Sequence, residues 1–494
     1  MTSATRSSCE HFDVLIVGAG ISGIGAAWHL QTQSPGTRYL VLEFKPTFGG
    51  TWVTHTYPGI RSDSDLYTFG YRFKPWSGAP IATADKILKY MGEVVNDNAL
   101  APHIRYGHAI VNASWSSTQR CWTLTVRRDD TGETLHITAG FLWMCQGYYD
   151  HTKGYTPQWP SMDDFKGHIV HPQTWPKDLD YAGKRVVVIG SGATAATLLP
   201  AMADTCEHIT MLQRSPTYFH TARNINELAD MLRQLEIPEA WVHEIARRKI
   251  LFEQTQFQAR ARAEPDAVKQ DLLNNVRSFL GDKVDVDKHF APRYRPWQQR
   301  LAFIPDGDLF KAIAKGKASV VTDEIESFTP TGLRLKSGEE LPADIVVTAT
   351  GFNLSALGNI AFEVDGKPLA FGDTVAWHGA MFTGVPNMVW VFGYFRWSWT
   401  LRVDIMGDFV CRLLAHMKAR GSSVVTAQLR AQDKDMELKP WIAPDNFNPG
   451  YLTRGVHLLP KQGMNEPWQH DQDYMRDVKE LPTADLDDGS LQFK

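Results

Sequence analysis

Two glycine-rich turns give this chain two places that could bind the pyrophosphate of a dinucleotide. The first, Gly18-Ala-Gly20-Ile-Ser-Gly23, follows the apolar residues 12–17, and the second, Gly190-Ser-Gly192-Ala-Thr-Ala195, follows residues 184–189. Glycines at these positions allow a tight turn and let backbone N–H groups at the start of the next helix approach the phosphates. We therefore expect dinucleotide contacts from Gly18, Gly20, Ser22 and Gly23 in the first turn and from Gly190, Gly192, Ala193 and Thr194 in the second.

The residue that follows the next strand differs in charge between the two turns. Glu43 stands twenty residues after Gly23, whereas Arg214 stands nineteen residues after Ala195. A carboxylate can bind both ribose hydroxyls and repels a 2′-phosphate, while a guanidinium suits that phosphate. The first site is therefore predicted to bind an NAD-type ribose or FAD. The second is predicted to bind NADP(H), with Ser215 adding a hydrogen bond to the phosphate.

The loop after the second strand could approach a flat ring. Gly50 precedes Thr51 and Trp52, and glycine there removes a side chain from the path of a bound ring. Trp52 is then either a packing partner of that ring or a core tryptophan. Asp63 follows in a segment rich in Pro and Gly, where aspartate is common as a turn former. Gly50, Thr51, Trp52 and Asp63 are our candidate cofactor contacts in this loop.

A connector rich in aromatic and basic residues joins the two turns. Its positions Phe165, Gly167, His171, Trp175 and Pro176 lie just before the second turn. Two nucleotide sites imply two redox cofactors that must meet, so a connector could hold the second site in its hydride-transfer pose. A His followed four residues later by Trp more often packs and hydrogen-bonds than transfers protons. We therefore interpret both as connector residues.

The order of the elements predicts an α/β fold with two Rossmann-like dinucleotide-binding domains, one for FAD and one for NADP. Short strands with hairpin turns are predicted over residues 101–145, among them 122–127, 135–138 and 141–145. Helical periodicity predicts a helical insertion in the NADP domain at about 224–290. We predict a first part of the FAD-binding domain over 1–147, an NADP-binding domain over 148–340, and a second FAD part with a C-terminal segment over 341–494.

The composition is that of a globular protein. Hydrophobic residues make up 43% and charged residues 21%, and the net charge of −4 disfavours nucleic acid, which requires a basic face. Residues 186–203 are uncharged, but Gly190, Gly192 and Pro200 interrupt them, so strand, turn and helix are predicted there rather than a membrane span. Without a signal peptide, a cytoplasmic location is expected, and peripheral membrane contact stays open. A monomer and a homo-oligomer are both compatible with the sequence.

The cysteines and the lack of a metal motif limit which acceptors could take electrons from a reduced flavin. The five cysteines are scattered without a CxxC pair, which predicts free thiols and no metal site. A disulfide reductase would need a redox cysteine pair soon after the first turn. A flavin reduced by NADPH must then pass its electrons to O2, a quinone, a protein or an organic substrate.

The connector and the loop before it resemble motifs of a known enzyme family. Phe165, Gly167, His171, Trp175 and Pro176 match the fingerprint of the Baeyer–Villiger monooxygenases, which are class B flavoprotein monooxygenases. The family's second motif is matched by Gly50, Trp52, Tyr57, Pro58, Gly59 and Asp63. Related N- and S-oxygenating enzymes usually have Phe or Tyr in place of Trp175. Over nearly the whole chain the sequence resembles the mycobacterial ethionamide-activating type of this family.

The resemblance implies a reaction and two catalytic residues. FAD reduced by NADPH would form a C4a-peroxyflavin with O2 and insert one oxygen next to a ketone carbonyl, which gives an ester or lactone. Arg300 matches the family's active-site arginine, and Asp63 matches the acid that positions it beside the flavin. A permanent cation there would keep the peroxide anionic and stabilise the oxyanion of the addition intermediate. S-oxidation of sulfides or thioamides remains open.

The sequence gives weaker evidence for the cofactor preference and for the substrate pocket. Gln299 stands where many family members carry a Lys that grips the 2′-phosphate, so we expect NADPH preference with weaker discrimination against NADH. Aromatic clustering alone suggests Phe395, Trp397 and Trp399 as pocket residues for an apolar ketone or sulfide. The alternatives are an N- or S-oxygenating flavin-containing monooxygenase and a flavoprotein reductase that makes no oxygenated product.

Overall fold

The computed structural model describes residues 9–494, so the start of the predicted first domain lies outside the described residues. Two of its helices begin within the glycine-rich turns, one at Ile21 and the other at Ala193. The helices are α1 Ile21–Gln33, α2 Thr51–Thr54, α3 Leu66–Phe69, α4 Ala84–Asp97, α5 Ala193–Met202, α6 Glu227–Gln234, α7 Glu239–Ala263, α8 Pro265–Leu280, α9 Val286–Phe290, α10 Asp308–Ala314, α11 Thr400–Arg420, α12 Gly450–Gly455 and α13 Tyr474–Glu480.

The strands are mostly short and belong to two large sheets and several small ones of two or three strands. They are β1 Glu10–Val17, β2 Tyr39–Leu42, β3 Ile104–Arg105, β4 His108–Ser116, β5 Cys121–Arg128, β6 Thr134–Met144, β7 Tyr149–Gly154, β8 His168–Val170, β9 Arg185–Ile189, β10 His208–Gln213, β11 Phe219–Ala222, β12 Ala302–Pro305, β13 Ala318–Thr322, β14 Ile325–Thr329, β15 Gly332–Leu335, β16 Glu340–Pro342, β17 Ile345–Thr348, β18 Phe352–Leu354, β19 Ala361–Val364, β20 Lys367–Pro368, β21 Ala376–Trp377, β22 Met381–Phe382, β23 Met388–Trp390, β24 Val425–Ala427, β25 Lys439–Pro440, β26 Lys461–Gln462 and β27 Leu491–Phe493.

The first sheet is built around β1, which pairs in parallel with β2 on one side and β6 on the other. β6, β5 and β4 continue as an antiparallel meander. β23 pairs in parallel with the C-terminal end of β6. The two strands expected at 135–138 and 141–145 are one continuous strand, β6. Gly140 causes no turn there, because it fits closely against the Asp13 carbonyl of the neighbouring β1.

The second sheet is entirely parallel, in the order β13-β10-β9-β17-β8. Its central strands are buried on both faces, which explains the runs of Val and Ile in β9 and β17. The predicted boundary at 341 is therefore too early, since β17 pairs with β9 and the chain returns to the first sheet only after Thr348. The predicted α/β class is confirmed.

The helical insertion contacts both α/β units. Ala229 of α6 and Val242 and Ala246 of α7 belong to the hydrophobic core of the first unit. Leu273 and Val276 of α8 belong to the core of the second. The insertion is thus not confined to the second unit, because α7, which is about 37 Å long at 1.5 Å per residue, is long enough to cross between them.

None of the helices within residues 9–494 combines the length and the apolar character that a bilayer span requires. The same residues contain no cluster of three or more His, Cys, Asp and Glu side chains suited to a metal ion.

Candidate active site

The first glycine-rich turn is closed tightly against β1. Gly18 has a φ of +97°, and a Cβ at Gly23 would lie only 1.8 Å from the Gly18 carbonyl oxygen. Gly20 and Gly50 face each other, so a Cβ at Gly50 would lie 3.0 Å from the Gly20 Cα. Gly18, Gly23 and Gly50 are required, because other backbone atoms approach them so closely that a side chain would not fit. A Cβ at Gly20 would lie 3.5 Å from the Gly50 Cα, which is an ordinary contact.

The start of α1 is suited to an anion. No side chain caps this end of the helix, and its first turn carries no acidic residue. The backbone N–H groups there lack intrahelical partners, and the helix dipole favours negative charge at this end. These residues therefore fit the pyrophosphate of FAD.

Glu43 is buried beside this turn and holds its backbone. One carboxylate oxygen accepts a hydrogen bond from Ala19 N at 2.7 Å and the other accepts one from Lys45 N at 2.9 Å. Burial raises the pKa of Glu43, and these two backbone N–H groups oppose the rise. Each oxygen keeps a further lone pair for a ribose hydroxyl, the role predicted from the sequence.

Thr51 and Trp52 lie in the short helix α2 beside Gly50. The Thr51 hydroxyl lies 2.8 Å from the Tyr149 hydroxyl, and Trp52 packs edge-to-face on Phe69 with ring centroids 5.6 Å apart. Tyr149 was not predicted from the sequence, because nothing in its local pattern points to this loop.

The second turn is more open than the first. Gly190 is required, since its φ is +126° and a Cβ would lie 2.4 Å from the Ala349 carbonyl oxygen. A Cβ at Gly192 would meet no described atom within 4 Å, and Ala193 begins α5 next to it. Arg214 and Ser215 are exposed at the end of β10, and Arg214 has no ion pair or hydrogen bond within residues 9–494. An exposed cation and an uncapped helix start fit the phosphates of NADP.

The segment from Tyr57 to Asp63 joins the two units. Tyr57 is buried in the core of the second unit, and burial raises its pKa to about 12 against an opposing hydrogen bond with Thr194. Gly59 lies so close to α5 that a Cβ would be 2.5 Å from the Ala201 Cβ. Arg61 forms an ion pair with Asp308 at the start of α10.

Arg300 and Asp63 form a bidentate ion pair. Arg300 Nε donates to Asp63 Oδ2 at 2.6 Å, and Nη2 donates to Asp63 Oδ1 at 2.5 Å. Burial lowers the pKa of Arg300, but the charge and hydrogen bonds of Asp63 outweigh it, so the pKa is raised. Nη1 makes one long contact, 3.5 Å from the Phe395 carbonyl oxygen. The structure brings together the two residues predicted to be catalytic.

Aromatic side chains form a wall beside this pair. We use the term aromatic wall for Tyr148, Phe392, Phe395, Trp399 and Tyr451, whose ring centroids all lie within 5.9 Å of that of Tyr148. Trp399 also connects the wall to the first turn, because its Nε1 donates to Ser22 Oγ at 2.8 Å. Trp397 lies apart in a separate cluster with Tyr394 and Leu401.

The connector is a strand followed by a short turn. Phe165 packs on Phe328 ahead of β8, and a Cβ at Gly167 would lie 2.2 Å from the Asp344 carbonyl oxygen. His171 Nε2 lies 3.2 Å from the Gly351 carbonyl oxygen, and its Nδ1 accepts from Gln173 N at 3.1 Å.

These contacts tie the connector to the segment that returns to the first sheet. Burial lowers the pKa of His171 and favours its neutral form. Trp175, which precedes Pro176, is buried in the core of the second unit. Gln299, next to Arg300, contacts Asn448 Oδ1 at 3.3 Å through its Nε2.

Comparisons with known proteins agree with this geometry. Residues 16–75 match the NAD(P)-binding Rossmann-like domain, and residues 80–228 match the flavin-binding monooxygenase-like family. The chain is 46% identical over 487 residues to the FAD-containing monooxygenase EthA of Mycolicibacterium smegmatis, covering 98% of this chain and 97% of that protein.

The chain belongs to the FAD-containing flavin monooxygenases. Its predicted relation to the ethionamide-activating type is confirmed by the same similarity. Two solved structures share the fold: a steroid monooxygenase bound to NADP, with a TM-score of 0.75 and 21% identity over 98% of this chain and 99% of that one, and a cyclohexanone monooxygenase, with a TM-score of 0.75 and 19% identity over 98% and 100%.

The enzyme is therefore an NADPH-dependent flavin monooxygenase with FAD and NADP(H) as cofactors, as predicted. The buried first turn fits FAD, and the second turn, which is half-buried and more open, fits NADP(H).

Proposed function

We propose that this monooxygenase carries out Baeyer–Villiger oxidation, the conversion of apolar ketones to esters or lactones. The observation that carries the proposal is the Arg300–Asp63 ion pair beside the aromatic wall. It supplies a fixed positive charge next to an apolar surface, and this is the combination that attack on a ketone carbonyl requires. One of the structural neighbours is a cyclohexanone monooxygenase with ε-caprolactone bound, a lactone that differs from cyclohexanone by one inserted oxygen atom.

The bound FAD, reduced by NADPH, supplies the activation of O2. Arg300 stabilises the negative charge that develops on the carbonyl oxygen of the ketone. Because Asp63 binds Nε and Nη2, the guanidinium is fixed in orientation and Nη1 stays available for the substrate. The raised pKa keeps Arg300 charged at every pH at which the protein would work.

The aromatic wall binds the apolar part of the substrate and excludes water from the site. Tyr148 and Trp399 stack with centroids 5.3 Å apart, and Phe395 meets Tyr148 edge-to-face at 5.9 Å. Phe395 and Trp399 are therefore the proposed substrate contacts among the three aromatic residues predicted from the sequence. Trp397 supports the shape of the pocket indirectly, because it packs with Tyr394 and Leu401 in a neighbouring cluster.

The cofactor contacts have separate proposed roles. Gly18, Gly20, Ser22, Gly23, Glu43, Gly50, Thr51 and Trp52 bind FAD, and Gly190, Gly192, Ala193, Thr194, Arg214, Ser215 and Gln299 bind NADP(H). Gln299 has no charge for the 2′-phosphate, so discrimination against NADH rests on Arg214 and is moderate. The connector residues Phe165, Gly167, His171, Trp175 and Pro176 hold the second unit in position for hydride transfer.

Product analysis tests this proposal. The purified enzyme is incubated in air with NADPH and either a medium-chain methyl ketone or an aryl methyl sulfide. We expect ester from the ketone, and we expect Arg300→Ala to lower ester formation by about 100-fold or more, because the developing oxyanion loses its charged partner. Arg185→Ala is the matched control, since Arg185 forms a similar bidentate pair with Asp344 but does not touch the aromatic wall.

Two outcomes would contradict the proposal. Sulfoxide without ester would assign the enzyme to S-oxygenation and leave Arg300 without its role. Consumption of NADPH that yields only hydrogen peroxide with a range of ketones would favour a reductase.

A further inference from the structure

A cavity of about 240 Å³ lies behind the aromatic wall. Phe395 belongs both to the aromatic wall and to the cavity lining, because its ring meets Tyr148 of the wall and stacks on Phe447, a cavity residue, with centroids 4.9 Å apart. The cavity is lined by Phe395, Trp441 and other apolar side chains, and by the cationic residues Arg396 and Lys439. Complete small-molecule sites are usually larger than this, so the cavity has the size of a subsite.

Arg396 is a buried cation without a counter-charge. The residue is 7% exposed, and within residues 9–494 it has no ion pair with a carboxylate. Nη2 donates to the carbonyl oxygen and to the Oδ1 of Asn446, Nε has no hydrogen-bond partner, and Nη1 makes no hydrogen bond with the described residues. Burial and the nearby Arg262 and Arg295 lower the pKa of Arg396 to about 10, so it remains protonated at neutral pH.

The other fully buried arginines of the described chain behave differently. Arg402 is 1% exposed and pairs with Asp477 at 2.7 Å, and Arg247 is 4% exposed and contacts Asp404 at 3.4 Å. An unpaired buried charge is costly, and it persists where a binding partner supplies the missing charge or where function requires it. Arg396 is thus an exception to the pattern that this chain otherwise follows.

The position of Arg396 is fixed by the helical insertion. Gln254 and Gln258 of α7 both donate to the Arg396 carbonyl oxygen, at 2.5 and 3.2 Å. Asn446 holds one end of the guanidinium from the opposite side. The cation is therefore held in place before any ligand binds, which is the condition for specific recognition of a charged group.

The other charges around the cavity do not cancel that of Arg396. Lys439 has no ion pair within the described residues. The one carboxylate of the lining, Asp471, already pairs with Arg476 at 2.6 Å. His470 is kept neutral, since burial lowers its pKa well below the usual range. The cavity wall thus carries a net positive charge, and neutral polar side chains such as Asn446 and Gln472 and apolar ones such as Trp441 form the rest of it.

We propose that this cavity binds the carboxylate of an amphipathic substrate, so that the enzyme prefers ketones that carry a carboxylate at the far end of an apolar chain. This substrate class rests on the proposed ketone oxidation. The carboxylate pairs with Arg396 and Lys439, and the apolar chain crosses the Phe395 region towards Arg300. Charge-assisted hydrogen bonds to a guanidinium are short and strong, which suits them to such selection.

Binding of octanoate to the FAD-loaded enzyme tests the site without oxygenation. Calorimetry should show octanoate binding that weakens by about tenfold or more in Arg396→Gln, since a charged hydrogen bond contributes on that scale. Lys439→Gln, a change of a less buried residue, should weaken binding to a smaller extent and covers the case in which Arg396→Gln does not fold. Arg412→Gln is the control, because Arg412 also lacks an ion pair but does not line the cavity. Equal binding by all variants, or no binding by the wild type, would overturn the proposal.

Kinetics with matched substrates tests the link to the reaction. A methyl ketone and a keto acid of the same chain length are compared in wild type and Arg396→Gln. The KM of the keto acid should rise at least about tenfold and that of the neutral ketone less than about twofold. Octanoate that binds through Arg396 without competing with the ketone would mark a separate anion site and refute the substrate class. If neither ketone gives ester, ketone oxidation itself fails, and the octanoate measurements still report whether Arg396 binds a carboxylate.

Discussion

The two glycine-rich turns have the same local design but opposite surroundings. In the first turn, Gly23 lies so close to the Gly18 carbonyl that a Cβ would be 1.8 Å away, and Glu43 is buried against the turn. In the second, the equivalent third position is already Ala195, and the charged residue, Arg214, is exposed. A closed, buried turn suits a cofactor that stays bound, whereas an open, charged one suits a cofactor that binds and leaves.

The difference has a simple physical origin. The first turn is covered by the loop that carries Gly50 and by Trp399, which donates to Ser22. In the second turn, Gly190 lies against Ala349 of the returning chain and Thr194 contacts Tyr57, but no described atom lies within 4 Å of a Cβ at Gly192. Closure therefore depends on the segments packed over each turn, since the glycine pattern is nearly the same in both.

The largest effect is expected from Gly23→Ala. The new Cβ would overlap a backbone carbonyl, which cannot move without separating α1 from β1, so FAD binding should be lost almost completely. The FAD content of the purified protein, measured by its absorbance, checks this. A folded variant with full FAD content would show that the first turn has room for a side chain at Gly23.

A smaller but more selective effect is expected from Arg214→Ala. Loss of the guanidinium removes a charged contact to the 2′-phosphate, so the KM for NADPH should rise about tenfold while that for NADH changes little. FAD content serves as the control and should not change. Equal changes in both KM values would remove Arg214 from the second site.

The segment around His55, which lies between the two glycine-rich turns in the chain, should lower the stability of the fold at acid pH. His55 is 4% exposed, lies 3.4 Å from the Tyr149 hydroxyl, and has a pKa lowered to about 3 by burial and by His151, His171 and Lys45. Because the unfolded chain binds this proton near pH 6.5 and the folded chain does not, stability is lost as the pH falls from about 6.5 towards 3. By pH 4 the loss from this group is about 3 kcal/mol.

Urea unfolding at pH 7 and pH 4 measures this loss of stability. His55→Gln should reduce the difference between the two free energies of unfolding, while His136→Gln, a change of an exposed histidine, should not. An unchanged difference in His55→Gln would mean that other groups control the acid response.

The smallest effect is expected from Gly192→Ala, the counterpart of the change in the first turn. The backbone angles at Gly192 suit any residue, and no described atom lies within 4 Å of the added Cβ. Folding and FAD content should match the wild type, with a change of at most a few-fold in the KM for NADPH. Loss of FAD or of folding would show that the second turn is as closed as the first.

The sequence predicted the two turns and the chemical character of each site, but it misplaced several elements. Residues 134–144 form one strand because the partner strand β1 accommodates Gly140, which a local pattern cannot reveal. β17 pairs with β9 and β8 of the second sheet. The local sequence could not show this pairing, because both partner strands lie much earlier in the chain. The insertion reached the first unit through Arg247, which donates to the carbonyls of Tyr67 and Gly70.

The sequence by itself determined which residue types were present for two dinucleotides and for a charged oxygenation site, since those depend on local spacing and side-chain chemistry. Only the tertiary structure decided that Arg300 meets Asp63 across 237 residues and that Trp399 faces the first turn while Trp397, two positions earlier, does not. It also placed Arg396 in a cavity without a counter-charge. Such pairings depend on which distant segments pack together, and packing is a property of the whole chain.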